Sequence, residues 1–208
     1  MRKISKKQIS FLIIAFTIAA VYGLKLWKQS SQTSSKNVMA VKTKGDPRAS
    51  IKIVEYVDLE CPSCAKGSKY LDQFMKDHPG KIYLQIKYFP LTMHQHGFTS
   101  AKYAECTARQ EKFWPFVDLV FERQKEWSIL HNARPAFDQI AKEINLNMGQ
   151  LERCLDDKSV DDVVMANARE GKALDVKSTP SYFVNGKMVV GIKYLEAELN
   201  RLLEENKN

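Results

Sequence analysis

The apolar run Ile51-Lys52-Ile53-Val54-Glu55-Tyr56-Val57 alternates with polar positions enough to read as a strand. Apolar and polar positions alternate more strictly along residues 81–89, where Ile82, Leu84, Ile86 and Tyr88 fall on every second position. A period of two is that of a strand with one buried face. Between the two runs the period changes: from Cys64 to His78, the residues Tyr70, Leu71, Phe74 and Met75 gather on one side of a helix. His78-Pro79-Gly80 stops that helix, and Pro90 ends the second strand. From about Thr99 to Leu174 the spacing is helical, with helices expected over 101–110, 113–127, 134–144, 148–156 and 159–174. Strand signals return at 181–184, Asn185-Gly186 is a hairpin turn, and 188–190 is its partner strand. A last amphipathic helix, about 193–205, aligns Leu195, Leu199 and Leu202. No segment repeats. The order predicts an α/β chain: a βαβ half, a helical insertion at about 99–174, and a ββα half.

The first 28 residues follow a different pattern. A basic stretch, Arg2 to Lys7, precedes the apolar run Phe11 to Leu24, which is the layout of an export segment. Basic residues ahead of the first apolar run hold the N-terminus in the cytoplasm, so the rest is expected to be translocated. The run is short for a span of about 20 residues, but Leu26 and Trp27 extend it if Lys25 snorkels. Val21-Tyr22-Gly23 is not a clean A-x-A site, so a cleaved signal peptide and a retained membrane anchor both stay open. No cysteine lies near, which argues against a lipid anchor. Residues 29–37 (QSSQTSSKN) read as a flexible linker. The folded domain is expected over 38–205, with the charged run Lys36 to Arg48 as a solvated lead-in and a turn at Gly45-Asp46-Pro47.

The formal charge of +8 changes little in this picture. Arg2, Lys3, Lys6, Lys7, Lys25 and Lys28 supply six of those charges with no acid among them. The basicity is therefore a targeting feature, and nucleic acid is not an expected partner. The expected location is the periplasm or elsewhere outside the cytoplasmic membrane, as a soluble or N-terminally anchored protein. At 44% apolar residues the chain can build its own core.

Candidate chemistry centres on Cys61-Pro62-Ser63-Cys64, at the junction of the first strand and first helix. At a helix N-terminus, unpaired backbone N–H groups and the helix dipole favour negative charge. Cys61 is placed there, and the thiolate is the species that attacks disulfides. Cys64, one turn on, can close a disulfide with it, and Pro62 suits a first turn where its missing N–H costs nothing. A dithiol–disulfide exchanger follows, whose redox group is the Cys61–Cys64 pair itself with no added cofactor. C-x-x-C also serves zinc, with a second ligand pair. His94, His96, Cys106 and Cys154 are the candidates, but His94-Gln95-His96 reads as a polar loop, and no metal site is expected. A purely structural Cys61–Cys64 bridge is the other alternative. Cys106 and Cys154 lie in the insertion of a chain bound for an oxidising compartment, so a structural disulfide between them is expected, with two unpaired buried cysteines as the alternative. It would be worth roughly 4 kcal/mol on the chain-entropy account. Phe113-Trp114-Pro115-Phe116 reads as insertion core.

These features together resemble the thioredoxin superfamily, and within it the DsbA-like thiol oxidoreductases. The resemblance covers about 38–205 and rests on four stretches in order: Asp58-Leu59-Glu60-Cys61-Pro62-Ser63-Cys64; Tyr88-Phe89-Pro90-Leu91; Cys106 with Gln110-Glu111-Lys112-Phe113-Trp114; and Ser178-Thr179-Pro180-Ser181-Tyr182-Phe183-Val184-Asn185-Gly186. It implies a thioredoxin-like fold with an α-helical domain inserted between the βαβ and ββα halves. It implies a cis Pro180 packed beside Cys61, with the Thr179 backbone pairing with an extended substrate, and Pro62 and Ser63 at the same binding face. Glu55, six residues before Cys61, matches the family's buried acid. A carboxyl in an apolar strand has a raised pKa and can exchange a proton with Cys64. The implied activity is introduction of disulfides into unfolded or reduced exported proteins, with a membrane partner that re-oxidises the dithiol. The inter-cysteine pair departs from the family: Pro-Ser stands where oxidising members often carry Pro-His. This keeps a disulfide isomerase or reductase open, as it does a non-catalytic metal- or partner-binding protein of the same fold. No separate dimerisation segment is visible, and a monomer is expected.

Overall fold

The computed structural model describes residues 42–205, together with Phe16, Val21, Tyr22, Gly23 and Lys25. The chain divides into two units, 1–40 and 41–208. In the first, the five described residues are helical. The export segment 1–28, apart from those five, and the linker 29–37 lie outside the described residues, as does the start of the domain at 38–41. Among the described residues no helix is long and apolar enough to cross a membrane.

The second unit is built on one five-stranded sheet in the order β1-β3-β2-β4-β5, with β1 Thr43–Gly45, β2 Ile51–Val57, β3 Ile82–Tyr88, β4 Ser181–Val184 and β5 Lys187–Val190. Only β2 and β3 are parallel, in a register running from Ile51↔Ile82 to Val57↔Tyr88. A parallel pair needs a crossover, and α1 (Pro62–Asp77) supplies it. The β4–β5 hairpin turns at Asn185 and Gly186, both with positive φ (47° and 86°). The closing helix α8 (Ile192–Glu205) packs on β4, β5 and α1.

Between β3 and β4 stand α2 (Gly97–Ala108), α3 (Phe113–Glu122), α4 (Gln124–Trp127), α5 (Arg134–Glu143), α6 (Met148–Asp156) and α7 (Lys158–Ala173). This is the expected insertion, and the fold class is the expected one. Its core is aromatic. Phe113, Phe116 and Phe137 are fully buried, and the Trp127 and Phe137 rings meet with centroids 4.9 Å apart. Helix α7 returns the chain to the sheet against β3. Gly171 permits this approach: a Cβ there would lie 2.7 Å from the Phe89 ring and 2.9 Å from that of Tyr56.

Three expectations are corrected. The run 113–127 is two helices, because Arg123 leaves helical geometry (φ −97°, ψ 14°). Its guanidinium pairs with Glu143 of α5 at 2.8 Å. Helix α2 begins at Gly97 rather than 101. The charged lead-in, described from Lys42 onward, is not wholly solvated: it contains strand β1, paired antiparallel with β3. Lys42 is 4% exposed, bonds Glu105 of α2 at 2.7 Å and lies over the Tyr88 ring. Lys44 pairs with Asp72 and covers the Trp114 ring. A buried ammonium is tolerable only with such a partner.

Candidate active site

Strand β2 is central, so both of its edges are paired, and its end delivers the chain into a fixed turn. The Asp58 carboxylate, fully buried, accepts from the backbone N–H of Glu60 at 2.8 Å and of Leu91 at 2.7 Å. His94 Nδ1 lies 2.7 Å from the same group. The Asp58 carbonyl accepts from the Cys61 N–H at 3.0 Å. From the insertion, the Gln124 side-chain amide donates to the carbonyls of Leu59 (2.7 Å) and Cys61 (3.1 Å). The segment bearing the first sulfur is thus held from the βαβ half and from the insertion.

Cys61 is the N-cap of α1, with Pro62 in the first turn. The helix begins at Pro62, as expected from Cys61 at its N-terminus and Pro62 in its first turn. Cys61 and Cys64 are free thiols, and their environments differ. The Cys61 thiol is pushed down to about 5. The main cause is the hydrogen bond from the Cys64 thiol, with the Thr179 hydroxyl and the N–H groups of Cys64 and Ser63 acting the same way against burial. Its Sγ lies 3.4 Å from the Thr179 carbonyl oxygen. Cys64 is fully buried. Burial first, and then the neighbouring Cys61 and Glu55, push its thiol well above the ordinary range.

The Thr179–Pro180 bond is cis. Pro180 is buried and Thr179 nearly so, whereas Pro62 and Ser63 are exposed at the rim. Beneath the sulfurs, Glu55 is 2% exposed. Burial pushes its carboxyl up to about 8. The Tyr182 hydroxyl acts against this and the Asp72 charge with it. At neutral pH the acid therefore holds its proton. Glu55 and Tyr182 are antiparallel partners in the β2–β4 register.

The structure brings Cys61, Cys64, Glu55, Thr179 and Pro180 together, with Pro62 and Ser63 at the edge. Cys106 and Cys154 are bonded to each other, joining α2 to α6 with Cα atoms 5.7 Å apart. His94 and His96 do not converge on the thiols: His96 precedes α2 and its Nε2 meets the Leu130 carbonyl at 2.7 Å. Among the described residues no group of three His, Cys, Asp or Glu could hold a metal ion. Sequence reasoning missed Asp58, Gln124, Gly67 and Tyr182. Gly67 left a signal as a glycine inside a helical pattern, and Asp58 and Tyr182 lie in stretches that carry the family resemblance.

A family model described as Thioredoxin matches residues 37–205. Among curated relatives, the Na(+)/H(+) antiporter NhaA 1 of Mycobacterium sp. (strain KMS) is 32% identical over 170 residues, covering 77% of this chain and 26% of that protein. The chain thus spans about a quarter of the length of such relatives. A Rickettsia bellii protein whose name, protein-disulfide oxidoreductase, is itself provisional is 26% identical over 79% of this chain and 65% of that one. Among solved structures, Wolbachia pipientis alpha-DsbA1 superposes with a TM-score of 0.68 at 24% identity, covering 78% of this chain and 89% of that one. BdbD from Bacillus subtilis gives 0.63 at 21% identity, covering 71% and 83%. The chain belongs to the thioredoxin family, and its fold is that of the DsbA-like thiol-disulfide oxidoreductases.

Proposed function

We propose that the chain is an exported thiol-disulfide oxidoreductase that introduces disulfides into unfolded or reduced proteins outside the cytoplasmic membrane. One observation carries the reading: of two sulfurs one helical turn apart, Cys61 is held at about 5 and Cys64 well above the ordinary thiol range. A substrate thiolate attacks Cys61 Sγ of the Cys61–Cys64 disulfide. The Cys61–Cys64 bond breaks, a substrate–Cys61 bond forms, and the electron pair leaves on Cys64. Glu55, protonated at neutral pH, passes its proton to that buried thiolate. A second substrate thiolate then attacks the substrate sulfur, forming the substrate disulfide and releasing the Cys61 thiolate. Two electrons end on the dithiol. A stable leaving thiolate makes the disulfide oxidising.

Thr179, ahead of the cis proline, offers backbone groups to an extended substrate beside Cys61. The dithiol is the whole redox group, and a monomer with a membrane-bound re-oxidising partner completes the reading. Ser63 supports a second reading. It supplies a backbone N–H but no cation to the Cys61 sulfur, so isomerase or reductase activity is the alternative. The test is to mix oxidised full-length protein with a reduced, unfolded ribonuclease. The account expects one substrate disulfide per protein dithiol, and a mixed disulfide at Cys61 that accumulates in Cys64→Ala. Reduction of insulin disulfides without ribonuclease oxidation would reverse the assigned direction.

A further inference from the structure

The buried end of the site contains a group with no part in the steps above. Tyr182 is fully buried in β4. Its register partner is Glu55, so both side chains rise from the same face of the sheet beneath α1. The Tyr182 hydroxyl and Glu55 Oε1 are both buried, and neither has a hydrogen-bond partner. Helix α1 is shaped around the hydroxyl: a Cβ at Gly67 would lie 2.2 Å from it. A glycine inside a helix costs about 1 kcal/mol relative to alanine, and here it leaves room for one oxygen atom. Gly67 is one turn beyond Cys64, on the same buried face of α1. A phenylalanine at 182 would bury as much surface without a polar atom to place, so the hydroxyl has another use than packing.

We propose that Tyr182 is a positioning residue for the buried acid: its hydroxyl, seated in the gap at Gly67, donates to the Glu55 carboxylate that forms when the proton passes to Cys64. This rests on the Glu55 role proposed above and deepens it. Among the described residues no cation acts on a carboxylate in this place. The ionisable groups around it are Cys61, Cys64 and Asp72 of α1 and Tyr182 of β4. Of these, only the Tyr182 phenol lowers the Glu55 pKa, and Asp72 raises it. Its own ionisation is pushed far up by burial and by the Glu55 and cysteine charges, so it remains a donor at every pH at which the protein works.

The test follows the Glu55 carboxyl by carbon NMR across pH in the reduced full-length protein. A hydrogen bond to a charged group lost in Tyr182→Phe should move the midpoint upward by about one to two pH units. Gly67→Ala, which pushes the hydroxyl aside, should move it the same way. Adding Gly67→Ala to Tyr182→Phe should then change it little further, because both act on one contact. Oxidation of a dithiol substrate at neutral pH should slow about threefold to tenfold in Tyr182→Phe as the acid weakens. A midpoint unchanged in Tyr182→Phe, with the fold intact, overturns the proposal. A midpoint that moves while Glu55→Gln oxidises substrate at the normal rate leaves the Tyr182 contact standing and overturns the acid's role in catalysis instead.

Discussion

The two cysteine pairs of this chain occupy contrasting surroundings. Cys106 and Cys154 join two helices of the insertion, Cys106 fully buried, with a bond already closed. Cys61 and Cys64 sit on one helix at its N-terminus, where backbone N–H groups and a cis-proline loop meet one sulfur and a buried interior holding Glu55 meets the other. A pair in matched surroundings has no reason to favour the dithiol. A pair whose first sulfur is stabilised as a thiolate does, because reduction then places charge where it is welcome. The lesson is that asymmetry around a C-x-x-C, more than the motif, separates an exchanger from a staple.

That contrast can be broken most sharply at the sulfurs. Cys61→Ala should lower substrate oxidation by at least about 10⁴-fold, whereas Cys106→Ala should leave the rate within about twofold; stopped-flow loss of substrate thiols reads both. The staple should show in stability instead. Replacing both Cys106 and Cys154 by alanine should cost about 2–4 kcal/mol in urea unfolding, while the Cys61 titration stays in place.

Glu55→Gln should slow oxidation by up to about 100-fold. It should also change how stability depends on pH. The folded-state pKa of this acid, about 8, is raised above its ordinary 4.5. Its contribution is therefore full below about pH 4.5 and is lost as pH rises through about 8. Urea unfolding of the oxidised protein should show that decline, and Glu55→Gln should flatten it. The smallest effect concerns Thr179. Cys61 alkylation should follow a midpoint near pH 5, and Thr179→Val should raise it by under about one unit, having removed one weak donor among several.

Much of this arrangement was legible in the sequence. Period-two alternation marked β3, and C-x-x-C at a strand–helix junction marked the thiols, because both signals are local. Strand β1 was not legible. It is three residues long, and its flanking Lys42 looks solvated until Glu105, 63 positions away, is brought beside it. The break at Arg123 was hidden for the same reason, since its partner Glu143 lies on another helix. Yet that break precedes Gln124, whose amide holds the Cys61 carbonyl. Tyr182 read as one more apolar strand position, because only the β2–β4 register shows what its hydroxyl faces.

The reduction potential of Cys61–Cys64, measured by equilibrating the full-length protein with glutathione buffers at pH 7, tests the central claim most directly. A thiol at about 5 is almost wholly ionised there, whereas thioredoxin's, at about 7, is half ionised. That difference alone is worth about 50 mV for a two-electron couple. The account therefore predicts a potential of about −220 mV or higher, against thioredoxin's about −270 mV. A value at or below thioredoxin's would contradict it, and the chain would donate electrons rather than take them.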